Sequence, residues 1–336
     1  IMVGDPAAIV IADTYLKGIR NFDVAAAYAA MKKSATQTAG NPLRPCVDRY
    51  LTLRYLPHDG CKGSVSVTEE YAYADHAIAK LAQARGKTAD AATFSARALH
   101  HRNLYDAGTG FLRPRNADGT WLAPFDPLCC TLANGKYDGP GYIEGTAWQY
   151  LFMAPHDIAG LKTLLGGDAA FLAKLDAAFT DAPGHYTLIN EPDMLYPYLF
   201  TYVPGEAWRT QERVRHDIAT NFTTGRAGLP GNDDAGQTSS RLVFDMLGFY
   251  PVDPLSRTYR IGSPIFTTAT LRLDRRHYPG TRFVLRADHN SATNLYIQSA
   301  LLNGSPLTVP QLGHEAITKG GTLTLTMGPT ASSWGD

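Results

Sequence analysis

The feature that most constrains the fold is a helical pattern that repeats across residues 6–248. Stretches of about 10 to 18 residues, rich in Ala and Leu and spaced as in a helix, alternate with loops rich in Gly, Pro and Asp. Within this pattern Asp23 is placed to cap a helix over 24–35, and Thr68 is placed to cap another. The pattern predicts a mainly α domain over residues 1–254, in which helical hairpins close into a ring.

The sequence changes character after Pro254. Short runs rich in β-branched residues are separated by Gly, Pro and Asn, which is typical of strands joined by turns. The runs are 259–266, 268–273, 282–287, 294–301 and 322–327. They predict a small β domain over residues 255–336.

Charge and hydropathy exclude several classes of function. Lys and Arg together number 31, as do Asp and Glu, so the chain has no net field that would draw it to nucleic acid or to an anionic membrane. No apolar run reaches the roughly 18 residues that a membrane span needs. A neutral partner, such as a sugar, fits this balance better.

Cys46 and Cys61 flank a loop of suitable length for a disulfide, with two buried thiols as the alternative, and a disulfide would favour export.

Two adjacent acids lie in the most unusual loop of the chain, residues 228–237. Asp233 and Asp234 follow Asn232, with glycines at both ends of the loop. Carboxylates and amides gathered at one point suit a base that activates water, or a calcium site. The structural alternative is that Asp234 caps the helix that follows.

Glu144 stands before a helix predicted over 145–153, among Tyr, Ile and Trp residues. An acid with such neighbours suits the role of general acid, and the alternative is an acid that favours the helix dipole. Asn190 and Glu191 precede a proline and offer hard oxygen ligands for calcium or magnesium, although the same residues also make an ordinary turn.

Together these stretches resemble the catalytic domain of glycoside hydrolase family 92, the calcium-dependent exo-α-mannosidases. The resemblance covers nearly the whole chain. Its motifs are MVGD (2–5), YLKG (15–18), EYAYAD (70–75), YIEGTAWQY (142–150), PHD (155–157), NEP (190–192), WRTQ (208–211), GNDDAGQ (231–237), LGFYPV (247–252) and IGSP (261–264).

The resemblance implies a fold, a reaction and a set of site residues. The fold is an (α/α)6 helical toroid with a small C-terminal β domain, completed in the family by an N-terminal β-sandwich that this chain lacks. Glu144 is implied to be the general acid, Asp234 the base with Asp233 assisting, and the Asn190-Glu191 loop a Ca²⁺ site. An inverting reaction requires the two catalytic carboxyls to lie about 6.5 to 9.5 Å apart. Five further residues are expected to bind the sugar: Trp148, Gln149, Asn232, Gln237 and Arg241.

The implied activity is hydrolysis of terminal α-linked mannose from glycans by a secreted, cell-surface or periplasmic protein. Two alternatives remain open. A subgroup of the family removes mannose capped through a phosphodiester. Glu144 argues against this activity, because a phosphate leaving group needs no proton. Arg241 favours it, because a guanidinium suits a phosphate, unless Arg241 is an ordinary surface arginine. The other alternative is a mannose-binding domain without catalysis, which has no need of Glu144.

Overall fold

In the computed structural model, which describes residues 3–129, 138–180 and 184–335, the chain divides into two compact units. The first is Ile1–Thr187 and the second is Leu188–Asp336. Helices dominate up to residue 247, and strands dominate after it. The predicted fold class, mainly α with a small β part, is therefore confirmed, while a domain boundary after residue 254 stays a prediction.

The first unit is built around one long buried helix. Its helices are α1 (Pro6–Leu16), α2 (Val24–Thr36), α3 (Val47–Leu53), α4 (Ser64–Ala84), α5 (Thr88–Arg97), α6 (Ala147–Tyr150), α7 (Ile158–Leu165) and α8 (Asp168–Ala178). Two short hairpins complete it: β1 (Tyr105–Asp106) with β2 (Phe111–Leu112), and β3 (Asp138–Gly139) with β4 (Tyr142–Ile143). The small Ala side chains of α4 let α1 and α5 pack closely against it. Most residues of α4 are therefore buried, whichever face of the helix they lie on.

The two predicted caps had different outcomes. Asp23 caps α2, since its carboxylate accepts a hydrogen bond from the Ala26 amide. Thr68 does not cap α4, which begins at Ser64, one turn earlier than predicted. The Thr68 hydroxyl instead donates to the carbonyl oxygen of Ser64, four residues before it, at 2.6 Å. A threonine can make this bond inside a helix, and its side chain then gives no start signal.

A buried ion network and a disulfide hold the first unit together. Arg44 donates to Asp5 (3.1 Å) and to Asp75 (2.7 Å), and Arg97 donates to the second oxygen of Asp75 (2.7 Å). All four side chains are buried, so every charge has a partner of the opposite sign close by. Cys46 and Cys61 form the predicted disulfide.

The described part of the second unit combines three α-helices with two sheets. Its helices are α9 (Ala207–Asn221), α10 (Gln237–Leu247) and α11 (His314–Thr318). Its strands are β5 (Phe249–Tyr250), β6 (Thr258–Ile261), β7 (Thr268–Arg272), β8 (Arg282–Asp288), β9 (Tyr296–Leu302), β10 (Ser305–Pro306), β11 (Gln311–Gly313) and β12 (Gly321–Gly328). One sheet has the order β10-β9-β12-β8-β7, and the other has the order β11-β6-β5.

The larger sheet is antiparallel except where β12 pairs with β8 in parallel. Alternate residues of these strands, such as Phe283 and Leu285 on β8 and Leu323 and Leu325 on β12, point into one apolar core. Within the described residues, no helix is long and apolar enough to span a membrane.

Candidate active site

In the first unit, Glu144 follows β4 directly and has an unusual backbone conformation. Its φ is +51°, in the left-handed region that side chains other than glycine seldom adopt. In the segment 141–150 every residue is buried except Glu144 and Trp148, which are partly exposed. Glu144 is therefore partly exposed in a packed segment and has an uncommon backbone conformation, and such a constraint is typical of functional residues.

The helix after Glu144 is shorter than predicted and does not use Glu144 as its N-terminal acid. It is α6, and its N-cap is Thr146, whose hydroxyl accepts from the Gln149 amide. The side chain of Gln149 accepts in return from the Thr146 amide at 3.1 Å, which completes a capping box. Thr146 also donates to the carbonyl oxygen of Gly184. Gln149 is buried, and the structure gives its side-chain oxygen this capping role.

Trp148 lies in a cluster of rings with a lysine beside it. Its ring centroid is 4.9 Å from that of Phe111 and 4.6 Å from that of His185. The ammonium of Lys174 lies 3.5 Å from the centroid of Phe111 and 4.4 Å from that of Trp148. Burial lowers the pKa of Lys174 to about 8, whereas the ring faces attract its charged form. No sequence signal identified Lys174, because it is distant in the chain from Trp148.

In the second unit, the structure brings together the two predicted loops around Glu191 and Asp234. Gly231 packs directly on the backbone of Ile189: a Cβ added to this glycine would lie 2.7 Å from the Ile189 carbonyl oxygen. Only glycine permits so close an approach. The charge of Asp234 reaches Glu191, whose pKa is raised by burial first and by Asp234 second. The Asn190-Glu191 loop and the loop of Asp233 and Asp234 therefore lie next to each other.

The two adjacent aspartates have different roles. Asp233 caps the first turn of α10 from outside the N-cap position, which is Gly236, because its carboxylate accepts from the Ser239 amide at 2.9 Å. The interpretation of Asp234 as the cap is wrong: its carboxylate accepts no hydrogen bond within the part of the chain that the structure describes. Asp234 has φ +48°, followed by Ala235 at +58° and Gly236 at +97°. Three left-handed residues in a row thus separate Asp233 from the start of α10.

The remaining predicted residues of this loop, Asn232 and Gln237, lie on either side of the two aspartates in the chain. Asn232 is exposed, and its carbonyl oxygen accepts from the Thr238 hydroxyl at 2.9 Å. Gln237 is partly buried at the start of α10, where its amide contacts the sulfur of Met194 at 3.5 Å.

Arg241 is not a surface arginine. It is only 1% exposed, and its Nε donates to both carboxylate oxygens of Asp245 at 2.8 and 2.9 Å. Its guanidinium carbon lies 5.3 Å from the ring centroid of Tyr198 and 4.8 Å from that of Tyr250. The Tyr198 hydroxyl donates to Asp245 as well. Arg241 thus belongs to a buried network, and this placement gives no support to its predicted contact with substrate.

The Glu191 loop offers an environment that suits a cation. The Glu191 carboxylate forms no ion pair or hydrogen bond with the described residues, and Asp234 adds a second negative charge nearby. Two neighbouring carboxylates without a basic partner match the hard oxygen ligands that Ca²⁺ prefers. Asn190 supplies an amide oxygen, which accepts from the Glu191 amide at 2.9 Å. Among the described residues no three His, Cys, Asp or Glu side chains group as a metal site, so backbone or water oxygens would have to complete the coordination.

Comparisons with known proteins agree on one family. The model of the glycosyl hydrolase family 92 catalytic domain matches residues 1–329. An uncharacterised secreted glycosidase of Arthroderma benhamiae is 31% identical over 362 residues, which cover 99% of this chain and 46% of that protein.

Solved structures from Bacteroides thetaiotaomicron are also similar. A GH92 α-mannosidase in complex with mannoimidazole is 32% identical with a TM-score of 0.89, and the match covers 99% of this chain and 44% of that one. An inverting GH92 mannosidase is 33% identical with a TM-score of 0.88, covering 99% and 47%. The chain spans about half the length of these relatives. The similarity confirms the predicted (α/α)6 fold class.

Proposed function

Because the chain belongs to glycosyl hydrolase family 92, we propose that it carries the catalytic carboxylates of an exo-acting α-mannosidase that releases terminal mannose from glycans with inversion. Two similar solved structures are mannosidases, and one of them is described as inverting. The observation that carries the proposal is that Glu144 and Asp234 both adopt left-handed backbone conformations. A fold maintains this uncommon state where the direction of a side chain matters.

Glu144 is the general acid in this proposal. It is partly exposed within a buried segment, so it can reach a substrate while its neighbours hold it in place. It donates a proton to the glycosidic oxygen as the bond to the leaving group breaks. Trp148, the other partly exposed residue of the segment, lies in the first turn of α6 and contacts the sugar.

Asp234 is the general base. Its carboxylate has no hydrogen-bond donor among the described residues, so its lone pairs remain available to a water molecule. Asp233 assists by capping α10, which fixes the loop that presents Asp234. Asn232 and Gln237, on either side of the Asp pair, line the same loop and offer amide groups to the sugar hydroxyls.

The loop of Asn190 and Glu191 holds Ca²⁺ in this proposal. The paired negative charges of Glu191 and Asp234 support it, since no basic side chain of the described chain offsets them at Glu191. When bound, a calcium ion would neutralise this charge and supply coordination sites for vicinal sugar hydroxyls. Glu191 and Asn190 orient that position, and Asp234 stays free to accept a proton from water.

The alternatives lose support. Cleavage of a mannosyl phosphodiester drew on Arg241, which is buried and paired with Asp245. A binding domain without catalysis gives no reason for a left-handed Glu144.

We place the protein outside the cytoplasm, which the disulfide between Cys46 and Cys61 and the secreted relative both support.

Mannose release by the full-length protein, with calcium present, tests this function. Glu144→Gln and Asp234→Asn each lower the turnover of an α-mannobiose by at least about 100-fold, because each removes one proton transfer. Glu315→Gln is the matched control, since this carboxyl is 64% exposed and lies outside both loops. Chelation of calcium lowers turnover, and added calcium restores it. Full activity of Glu144→Gln, or faster cleavage of a mannosyl phosphodiester than of the mannobiose, would overturn the proposal.

A further inference from the structure

The peptide groups on either side of Ile143, the residue before Glu144, are both held by side chains. The Ile143 amide donates to the Ser66 hydroxyl at 3.0 Å, and its carbonyl oxygen accepts from the Tyr150 hydroxyl at 2.6 Å. We propose that Ser66 and Tyr150 are positioning residues, which hold Glu144 in the geometry it needs for proton transfer. This inference rests on the proposed role of Glu144 as general acid.

Ser66 fixes the chain before Glu144 from the side of α4. The amides of Val65 and Ser66 both donate to the carbonyl oxygen of Gly141, the residue before β4, at 2.9 and 3.3 Å. The Ser66 hydroxyl adds the bond to Ile143 two residues later. Ser66 is fully buried, so water does not compete for this bond. The first turn of α4 is therefore hydrogen-bonded to the backbone at both Gly141 and Ile143.

Tyr150 fixes the chain on both sides of Glu144. Its hydroxyl holds the peptide that joins Ile143 to Glu144. Its ring lies against Gly145, where an added Cβ would come within 2.8 Å of a ring carbon. Tyr150 is buried and sits in α6, next to the capping box of Thr146. One side chain thus contacts the residue before and the residue after the acid.

These contacts bear on catalysis through the backbone of Glu144. The peptide that Tyr150 holds is one end of the bond whose rotation is φ, and φ of Glu144 is +51°. Without that hydrogen bond, the peptide is free to turn toward the commoner right-handed region, and the carboxyl would move with it. Proton transfer requires a separation of hydrogen-bond length, so a small displacement slows it strongly.

The test uses two substrates that differ in their need for an acid. Methyl α-mannoside has a strongly basic leaving group that must be protonated, whereas dinitrophenyl α-mannoside has a leaving group that departs without a proton. In the full-length protein with calcium, Tyr150→Phe and Ser66→Ala lower kcat/KM for the methyl glycoside by about 10- to 100-fold. Both variants keep kcat/KM for the dinitrophenyl glycoside within about threefold of the parent, because only proton donation is impaired.

Tyr142→Phe is the matched control. Tyr142 is also buried, and its hydroxyl also donates to a carbonyl oxygen, but that oxygen belongs to Leu112 rather than to a peptide next to Glu144. This variant leaves the ratio of the two kcat/KM values unchanged. The ratio does not depend on the fraction of folded enzyme, so it measures the effect on proton donation by Glu144 even if a variant is less stable.

The outcomes separate this inference from the proposed function. An equal loss on both substrates in Tyr150→Phe and Ser66→Ala means a structural role only and overturns the inference. Glu144→Gln must show the same selective loss on the methyl glycoside. If it does not, the acid assignment itself fails, whatever the two positioning variants do.

Discussion

Replacing Glu69 with Gln should make the free energy of unfolding less sensitive to a rise in pH. Glu69 lies on α4, is only 1% exposed, and neither of its carboxylate oxygens has a hydrogen-bond partner. Burial, and then the charge of Glu70 beside it, raise the pKa of Glu69 well above its ordinary value of 4.5. The phenol of Tyr142 is the titratable group on β4 whose charge interacts with that of Glu69. No basic group compensates Glu69 within the described residues, so the folded protein keeps this proton to a higher pH than the unfolded chain does.

The size and sign of the effect follow from proton linkage. Between pH 4.5 and the raised pKa, the folded state binds one proton more at Glu69 than the unfolded state does. The free energy of unfolding therefore falls by about 1.4 kcal/mol for each pH unit across this window. Glu69→Gln removes this dependence and keeps the shape of the side chain. The stability of the variant relative to the parent rises by the same slope as the pH increases.

Urea unfolding followed by circular dichroism at a series of pH values above the ordinary carboxyl pKa measures the difference. The slope is the diagnostic quantity, because the fixed offset between parent and variant also depends on how the Gln amide packs. Glu69→Leu, which removes the titration by another route, should give the same slope. Glu315→Gln should give none, since that carboxyl is exposed. A difference between parent and Glu69→Gln that does not vary with pH would refute a protonated Glu69.

Three further predictions concern the second unit and the disulfide. Asp233→Ala lowers the free energy of unfolding by about 1 kcal/mol through loss of the cap on α10, measured in urea; an unchanged midpoint would contradict the cap. Arg241→Met costs about 3 to 5 kcal/mol because Asp245 is left buried without its partner; replacing both residues with apolar ones should restore most of that loss in the same assay. Converting Cys46 and Cys61 to Ala removes a crosslink across 15 residues and costs about 3 kcal/mol, and equal melting of both proteins would rule out this contribution.

Helix positions followed from the sequence where a loop residue gave an explicit signal. Asp23 marked the start of α2 because its side chain caps a helix end. The start of α4 was missed, since Ser64 follows a glycine N-cap that carries no side-chain signal. Strands of the C-terminal part were found because they form short runs bounded by turn residues, and on β8 the alternate residues Phe283, Leu285 and Ala287 form one buried face.

The site residues show a different limit. The sequence identified the Asp233-Asp234 pair, but it could not assign the cap, because that depends on the left-handed turn at Ala235. The i,i+4 spacing of Arg241 and Asp245 is visible in the sequence, yet their burial depends on Tyr198 and Tyr250, which are distant in the chain. Contacts of this kind require the tertiary fold. Glu69 carried no signal either, since a helix buried on every side has no polar face to distinguish.

The central claim is that Glu144 donates a proton while Asp234 activates a water that attacks the sugar. Proton NMR of the first mannose released from an α-mannoside tests it most directly, before the anomers equilibrate. β-Mannose is expected as the first product, because attack by water in a single displacement inverts the anomeric centre. α-Mannose as the first product would require a covalent intermediate and would contradict the roles assigned to Glu144 and Asp234.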